Sequence, residues 1–426
     1  MSEKYRPART SSSRDMPPKR KGKRSRDAVL QDVDGRSMEK ALPSNDAAHV
    51  GGVGTSPAKR ARNNLESRGT TSPRNGVIKE IVVKNFMCHQ LLRVNLNPRV
   101  NVISGQGGSG KSAIVAALQT CLGATARETG RSDSLQKLVR RHQTKPAYAI
   151  VTLHNPKGDL AYRHEVYGDT ITIERKIMPS SSSYSLYTHD EWEKHRKNNE
   201  YKAKKFTPAT GTVKLELASM LDWFSINVTN PCSVLDMQTA QTLITGSDEQ
   251  KYKFFEDATE LKVLDEKAYE AKKRERYESL RASVCKNISH MFNQVLSLQQ
   301  HHGHVNFDHT KKELKMNVEL GEKGALVKDM KSLSGGERST VTLSLLMALL
   351  KCVNSPFTVL DEVLVAIRQS INAGVKMAEL PGSRQFIFIT QHRLCCAAVQ
   401  RTDTVNLINI DRECPRPSPK ISSSTS

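Results

Sequence analysis

The 426-residue sequence lacks the features that mark a membrane-spanning or secreted protein. It has no apolar run of about 18 residues, the length a helix needs to cross a bilayer. Its N-terminus has no hydrophobic core of a signal peptide. Its 8 cysteines include no Cys-x-x-Cys pair and no zinc-finger spacing, which indicates reduced thiols and no zinc site. We therefore expect a protein that acts inside the cell and has no membrane partner.

Aromatic residues are also scarce, at 5% of the chain, whereas the formal net charge is +21. A basic surface gains from counterion release on a polyanion, so this charge favours DNA bound through a basic surface. Charge alone does not separate nucleic acid from an acidic membrane. The scarcity of aromatic side chains predicts contacts to phosphates and no reading of bases.

Residues 1–75 carry 17 Lys and Arg against 8 Asp and Glu and show no hydrophobic periodicity. Such a segment cannot offset the entropy of ordering, so it is predicted to be a disordered basic tail. Within it, Pro17–Arg24 and Pro57–Arg62 resemble nuclear-import signals, which predicts a location in the nucleus, on the chromosome. A generic basic tail that touches DNA is the alternative. Residues 413–426 are predicted to form a second disordered tail.

The globular part is predicted to begin near residue 76 with strands at Val77–Phe86 and Val100–Ser104, followed by a helix over Ser112–Leu122. Short alternating runs predict further strands at Ala147–Leu153, Leu160–Tyr167 and Thr170–Ile177. Residues 179–206 are Ser-rich and then charged, which predicts an exposed insertion. This half, 76–249, would contain a β-rich lobe.

Residues 250–299 carry apolar side chains at steps of three and four, which predicts one or two packed helices. The polar segment Glu270–Arg276 within them would mark a bend or a junction. Residues 300–412 resume strand-like alternation and form the second half. His301–His304 there invites a metal site, but no carboxylate or cysteine cluster lies nearby in sequence, so a solvated loop is favoured.

A glycine-rich segment, Gly105-Gln-Gly-Gly-Ser-Gly-Lys-Ser112, follows the second predicted strand and opens a helix. Such glycines let backbone N–H groups surround phosphate oxygens at a helix N-terminus. The pattern predicts that Lys111 reaches the β- and γ-phosphates of ATP and that the Ser112 hydroxyl binds Mg²⁺. The nucleotide-binding residues predicted here are Gly105, Gln106, Gly107, Gly108, Ser109, Gly110, Lys111, Ser112 and Ala113.

Two further motifs lie near the other end. The apolar run Phe357–Leu360 ends in Asp361 and Glu362, which predicts Asp361 as a Mg²⁺ ligand and Glu362 as the catalytic residue that polarises water. Upstream, Leu333-Ser-Gly-Gly-Glu337 precedes a helix predicted at Thr340–Cys352, again an N-terminus suited to phosphate. One chain cannot ordinarily bring both anion sites to one nucleotide, so a partner is expected.

In chain order, the glycine-rich segment, Leu333-Ser-Gly-Gly-Glu337 and Asp361-Glu362 resemble the ABC-type ATPase head, in which the second motif is called the signature. Arg338-Ser339 after the signature is similar to the SMC (structural maintenance of chromosomes) branch of that group. The segments Ile81–His89, Val166–Gly168, Asn230–Leu235 and Lys251–Phe255 resemble the sixth-subunit group of SMC proteins. Arg384–Thr390 is similar to the last core strand. The resemblance implies an α/β fold: a P-loop ATPase head with a mainly parallel core sheet, a β-rich lobe and a short coiled-coil stub.

The resemblance also implies a mechanism and partners. Two heads, this one and that of the fifth SMC subunit, would close around two ATPs, with Ser334, Gly335 and Gly336 contacting the partner's γ-phosphate. The complex would act in DNA repair and recombination and in chromosome maintenance, with kleisin and other non-SMC subunits. Arg131 is similar in position to a family arginine near the nucleotide, and a surface arginine is the alternative.

The sequence departs from the family at several points. Only about 30 to 50 residues separate the halves, too few for the long arms and hinge, so a natural short form, a trimmed chain and a misassembled gene model all stay open. In the family, the segment after the Asp-Glu pair, called the D-loop, carries further acidic residues, and here Leu364 and Arg368 stand in their places. Met237 stands where a Mg²⁺-binding Gln is expected, with Gln238 one position late. His392 resembles a switch histidine, although a surface histidine is an equal alternative.

Three functions follow from these observations. The first is a partner-dependent ATPase head that acts on DNA. The second is a non-hydrolysing interaction module, because the D-loop is altered and the arms are missing. The third is another ABC ATPase, similar to RecF-type or RecN-type repair proteins or to a transporter subunit. The Phe86-Met-Cys-His89 opening and the basic tail argue against a transporter.

Overall fold

A computed structural model describes residues 73–140, 145–178, 180–198, 202–209, 211–268, 271–297, 300–320, 325–327, 333–362, 384–391 and 405–410. The two predicted tails lie outside these residues, except for residues 73–75. The Arg74 guanidinium donates a hydrogen bond to Asn354 Oδ1 at 2.7 Å, so the ordered fold includes the last residues of the predicted tail.

A five-stranded parallel sheet forms the central layer of the fold. Along its strands, alternate side chains enter two different hydrophobic clusters: Phe386 and Phe388 face one cluster, whereas Ile387 and Ile389 face the other. Burial on both faces explains why these strands read as continuous apolar runs. In spatial order the strands are β13 (Val405–Asn409), β3 (Val100–Ser104), β12 (Gln385–Thr390), β11 (Phe357–Asp361) and β7 (Val234–Leu235). The predicted α/β fold with a parallel core sheet is confirmed.

A five-stranded antiparallel sheet forms the N-terminal lobe, and helix α1 (Lys111–Cys121) packs against both sheets. Because α1 lies between two sheets, residues 113–121 are all buried, and not only the predicted face of Ile114 and Leu118. Buried Gln385 also joins the layers, since its side chain bonds both the N–H and the C=O of Ile78. The strands are β2 (His89–Asn95), β1 (Ile78–Phe86), β4 (Ala147–His154), β5 (Thr170–Ile177) and β6 (Ser182–Tyr187).

Helices cover the other face of the parallel sheet. Helix α9 (Gly335–Cys352) is buried from Thr340 to Leu350 and packs against the long helix α8 (Ala271–Ser297). Around them lie α5 (Met237–Thr245), α6 (Asp248–Thr259) and α7 (Leu261–Lys267), and a three-stranded sheet of β8 (His302–Asp308), β9 (Glu313–Leu320) and β10 (Ala325–Val327). The described residues also form helices α2 (His164–Tyr167), α3 (His189–Lys197) and α4 (Val213–Trp223), and a short 3-10 helix at Leu135–Leu138.

The predicted helical segment 250–299 forms three helices in its described part. Glu260, with φ of 56°, separates α6 from α7. Helix α7 ends at Lys267 and α8 begins at Ala271, within the polar segment where a bend or junction is predicted. The C-terminal half of α8 buries Ile288, Phe292 and Leu296 completely, so this half of the predicted coil stub belongs to the core.

Two predictions about the N-terminal lobe are wrong. Leu160–Tyr167 is not a strand, because Asn155 donates to the carbonyls of Tyr162 and Gly168 and accepts from the Tyr162 N–H, which organises a loop with one helical turn. The region 179–206 is not an insertion where it is described, because it adds β6 to the sheet and packs α3 through buried Trp192. Most of its other described side chains are exposed or partly exposed, as predicted.

Two boundary differences complete the comparison. Helix α9 begins at Gly335, five residues before the predicted start, because the signature glycines form its first turn. His302–His304 lie on strand β8 and not in a loop, and the His304 ring bonds the Asn317 amide at 3.0 Å. No helix within the described ranges is both long and apolar enough to span a membrane.

Candidate active site

The glycine-rich segment forms the turn that joins β3 to α1. Gly110 caps α1 with φ of 91°, a conformation that L side chains rarely adopt, and a Cβ there would lie 2.3 Å from His89 Nε2. A Cβ on Gly105 would lie 2.3 Å from the Ile410 carbonyl oxygen. Both positions therefore require glycine for steric reasons. The turn leads directly into the N-terminus of α1, and the backbone N–H groups of a helix N-terminus suit an anion.

Lys111, the first residue of α1, is only 4% exposed. Its ammonium donates to the carbonyl oxygens of Gly105 at 2.9 Å and Gln106 at 3.0 Å. A buried cation held by two neutral carbonyls has no full counter-charge from them, so an anion beside the loop would gain from it. Ser109 adds a buried hydroxyl that has no hydrogen-bond partner.

Asp361 lies at the carboxyl end of β11 and is 3% exposed. Its Oδ2 accepts a hydrogen bond from Arg131 Nη2 at 3.2 Å, whereas its Oδ1 is buried without any partner. Burial raises the pKa of this carboxyl, and the charges of Arg131 and Lys111 and the side chain of Ser112 oppose that rise. An unpaired buried carboxylate oxygen near a hydroxyl is a donor set that fits a hard divalent cation such as Mg²⁺.

Glu362 follows directly with φ of 54°, an unusual conformation for a side chain of this size. Its N–H donates to the Ile389 carbonyl at 3.0 Å. Its Oε2 accepts a hydrogen bond from Gln391 Nε2 at 2.6 Å. The Gln391 amide oxygen lies 3.4 Å from the position of a Cβ on Gly107, so the amide bridges Glu362 and the glycine-rich turn.

These groups surround one cleft of about 980 Å³. It brings together residues from the turn between β1 and β2, the glycine-rich turn, the loop at 129–140, the start of α5, and the ends of β11 and β12. The predicted site residues in its wall are Gly107, Gly108, Gly110, Lys111, Ser112, Ala113, Arg131, Gln238, Asp361 and Glu362. Gly105, Gln106 and Ser109 belong to the same turn but are not among the residues that line the cleft.

The signature residues Ser334 and Gly336 are not among the residues that line this cleft. Ser334 caps α9, with its Oγ accepting from the Glu337 N–H while the Glu337 carboxylate accepts from the Ser334 N–H at 2.8 Å. The hydrogen bonds from Ser334 lower the pKa of Glu337. Gly336 has open space where a side chain would be, so this helix N-terminus faces outward.

The points of departure from the family have different outcomes. Met237, 56% exposed, and Gln238 both line the cleft at the start of α5. Leu364, Arg368 and His392 lie outside the described residues. Within the described residues, no group of three or more His, Cys, Asp or Glu side chains is arranged to hold a metal ion. The histidines of His301–His304 therefore do not form such a group with their neighbours.

Sequence reasoning missed Gln391, which contacts the candidate catalytic carboxylate. Gln391 follows strand β12 directly, and β12 pairs with β11 in parallel, so Asp361 lies opposite Ile389. The carboxyl ends of adjacent parallel strands meet at one edge of a sheet, which is the signal that would have identified this residue.

Comparison with known proteins identifies the family of the chain. Residues 77–409 match the family model described as RecF/RecN/SMC N terminal domain. The chain is 36% identical over 203 residues to Structural maintenance of chromosomes protein 6 of Schizosaccharomyces pombe, covering 47% of this chain and 16% of that protein. It is 37% identical over 210 residues to the human protein of the same name, covering 47% and 17%. The match thus spans about a sixth of each relative's length.

Among solved structures, the fold is similar to an SMC head bound to the C-winged helix domain of ScpA. The TM-score is 0.53 at 18% identity, over 77% of this chain and 96% of that one. A second similar structure is the SMC head with an extended coiled coil from Pyrococcus furiosus, also bound to a ScpA domain, with a TM-score of 0.50 at 16% identity, over 77% and 94%. At these identities the structures support the fold alone.

Proposed function

This chain belongs to the RecF/RecN/SMC N-terminal domain family, and from that premise we propose that it is an ATP-binding SMC head that hydrolyses ATP when paired with a second head. One observation carries the proposal: a single cleft joins the glycine-rich turn, a buried carboxylate with an unpaired oxygen, and a second carboxylate held by an amide. That set suits a nucleoside triphosphate with its cation.

The triphosphate would lie along the N-terminus of α1, where the backbone N–H groups and the Lys111 ammonium meet its oxygens. Lys111 would exchange the carbonyl oxygens of Gly105 and Gln106 for phosphate oxygens. Arg131, in the wall of the same cleft, would add positive charge. These cations would offset the phosphate charge that increases during hydrolysis.

Mg²⁺ would be held by the Ser112 hydroxyl and Asp361, with Gln238 as a further oxygen donor, and when bound would neutralise charge on the phosphate oxygens. Glu362 would orient and polarise the attacking water. Gln391 fixes one oxygen of Glu362, which leaves the other free for that water. To accept a proton from the attacking water, the Glu362 carboxylate must lie within hydrogen-bond distance of that water.

The outward-facing N-terminus of α9 would complete the site of a partner head, with Ser334, Gly335 and Gly336 at the partner's nucleotide. We propose the fifth SMC subunit as the partner, since the sequence relatives are sixth-subunit proteins. A kleisin and other non-SMC subunits are proposed as further partners, supported by a similar head bound to a ScpA domain. The proposed setting is DNA repair and recombination on the chromosome in the nucleus, with DNA bound through basic surface.

Equilibrium binding of a fluorescent ATP analogue with Mg²⁺ tests nucleotide binding. Lys111→Ala should weaken binding at least about a hundredfold, because a buried charge-assisted contact is lost. Lys214→Ala changes an exposed lysine of α4 outside the cleft and is the matched control. Equal affinities for the wild type and Lys111→Ala would contradict the proposed site.

The second candidate is a head that binds ATP without hydrolysing it. The specific observation in its favour is Met237, an exposed thioether in the cleft wall where a Mg²⁺-binding Gln is expected. Measurable ATP affinity without turnover, with the partner head and DNA present, would favour this candidate. Restored turnover in Met237→Gln would identify the thioether as the cause.

A further inference from the structure

The outer face of the antiparallel sheet contains a row of side chains that the sequence separates widely. Strand register places Lys84 of β1 opposite Tyr148 of β4, and Tyr148 opposite Lys176 of β5. Residues paired in this way project from the same face of a sheet, on strands about 4.8 Å apart. A tyrosine thus lies between two lysines, all three on adjacent strands.

This row is accessible, whereas the opposite face is core. Lys84 is exposed, and Tyr148 and Lys176 are partly exposed. Leu91 of β2, which pairs with Lys84 and extends the row, is 61% exposed. The neighbouring residues that project to the other face are buried, for example Val83 and Ala149. The period of two along each strand explains the contrast.

The charge around the ring is positive. The Lys176 ammonium lies 6.0 Å from the centre of the Tyr148 ring, within the range of a cation–π contact. Carboxylates on this face lie outside the row: Glu80 accepts from Arg93 at 2.7 Å, and Glu174 accepts from the Tyr187 hydroxyl at 3.3 Å and interacts electrostatically with Lys176. The row therefore presents an aromatic surface with a cation on either side and no carboxylate in it.

We propose that this row binds single-stranded nucleic acid, with one base stacked on Tyr148 and the backbone phosphates on Lys84 and Lys176. Residues farther along the same face, such as Val82, Thr152 and Thr172, are buried, so the row is an exposed patch at one end of the sheet. A patch with an aromatic ring among basic side chains suits unpaired bases, which can leave their own stack. A duplex keeps its bases stacked inside, so it offers phosphates and the base edges in its grooves but no free base face for Tyr148 to stack on. The inference deepens the DNA contact proposed above and rests on it.

It also alters an expectation from composition. Few aromatic residues and separated basic ones predict phosphate contact alone, because Lys84, Tyr148 and Lys176 lie 64 and 28 positions apart in the chain. Only the pairing of β1, β4 and β5 brings them into one row.

The test measures the affinity of the full chain and its variants for a labelled oligothymidine of about 15 nucleotides, the length that one single-strand-binding fold covers. A duplex of equal length is measured in parallel. Tyr148→Ala should weaken single-strand binding about tenfold and leave duplex affinity unchanged, since stacking is lost. Tyr148→Phe should keep single-strand binding. Lys84→Ala should weaken binding of the single strand and lower its salt slope by about one, whereas Lys214→Ala should not.

Ultraviolet cross-linking of a bromodeoxyuridine oligonucleotide supplies a second measurement, which should map to the peptide that contains Tyr148. Unchanged single-strand affinity in both Tyr148→Ala and Lys84→Ala would overturn the inference while the wild type still binds DNA. An equal loss for duplex and single strand in Tyr148→Ala would also overturn it, because that result indicates a duplex surface. Wild-type protein that binds neither nucleic acid would instead contradict the DNA part of the proposed function.

Discussion

Arg131 and Asp361 form an ion pair across the candidate site, with Nη2 3.2 Å from Oδ2, although 230 positions separate them in the sequence. The arginine is 40% exposed and the carboxylate only 4%. The guanidinium opposes the effect of burial on the pKa of Asp361. The sequence left two positions open for Arg131, a surface position and one near the nucleotide. In the structure, Arg131 lines the cleft and its side chain is partly exposed.

Arg131→Ala should make nucleotide binding more sensitive to acid. Without the guanidinium, the pKa of Asp361, already raised by burial, rises further, so the carboxylate protonates at a higher pH and the cation loses a ligand. Affinity for the ATP analogue with Mg²⁺, measured across about pH 5 to 8, should fall at the acid end sooner than in the wild type. Arg131→Lys keeps the charge and should behave like the wild type. Parallel pH curves for wild type and Arg131→Ala would refute this account.

Asp361→Asn should stabilise the fold while it removes cation binding. The pKa of Asp361 is raised in the folded state, so ionisation of this carboxyl destabilises the fold. The free energy of unfolding therefore falls as pH rises from the ordinary Asp pKa to the raised one. At neutral pH the variant, which has no charge to bury, should melt at a higher temperature. Asp133→Asn, at an exposed carboxylate paired with Lys137, is the control and should melt like the wild type. A lower melting temperature for Asp361→Asn would show that the ion pair outweighs burial.

Gly110→Ala should destabilise the fold by about 1 to 3 kcal/mol, because it combines a strained φ with a contact at 2.3 Å to His89. Gly336→Ala is the matched control, since open space surrounds that glycine and its side chain would project from the first turn of α9. Urea denaturation followed by circular dichroism measures both. Equal midpoints for the two variants would mean that the turn tolerates a side chain.

Gln391→Ala should lower ATP turnover about 10- to 100-fold without changing nucleotide affinity, because the carboxylate of Glu362 loses the amide that orients it. Gln391→Glu keeps the length of the side chain but replaces the donating amide with a carboxylate that repels Glu362, so it should also lower turnover. Steady-state kinetics and nucleotide affinity measure both variants. If both keep the wild-type kcat, Gln391 has no part in positioning Glu362.

The order of motifs and the local hydrophobic patterns were sufficient to predict much of the fold. The bounds of Val100–Ser104 and Thr170–Ile177 agree with the structure because apolar runs and turn residues are local signals. The region Leu160–Tyr167 was not predictable in this way, since the Asn155 side chain supplies hydrogen bonds that a strand would otherwise need. Tertiary hydrogen bonds overrode a β-like pattern.

The site followed the same division. The glycine-rich turn, Asp361 and Glu362 carry their signal in short motifs, and the structure brings them to one cleft. Gln391 and the row through Tyr148 depend on which strands pair and in what register, which residues far apart in the chain decide together. Sequence patterns therefore predicted the residues of the motifs better than the residues that hold them.

ATP turnover by this chain mixed with a fifth-subunit SMC head and DNA tests the central claim most directly. Wild-type protein should hydrolyse ATP, and Glu362→Gln should bind the nucleotide with unchanged affinity but lose at least about a hundredfold in turnover, since the residue that polarises water is gone. Equal turnover by the wild type and Glu362→Gln would contradict the assignment of this carboxylate and the mechanism built on it.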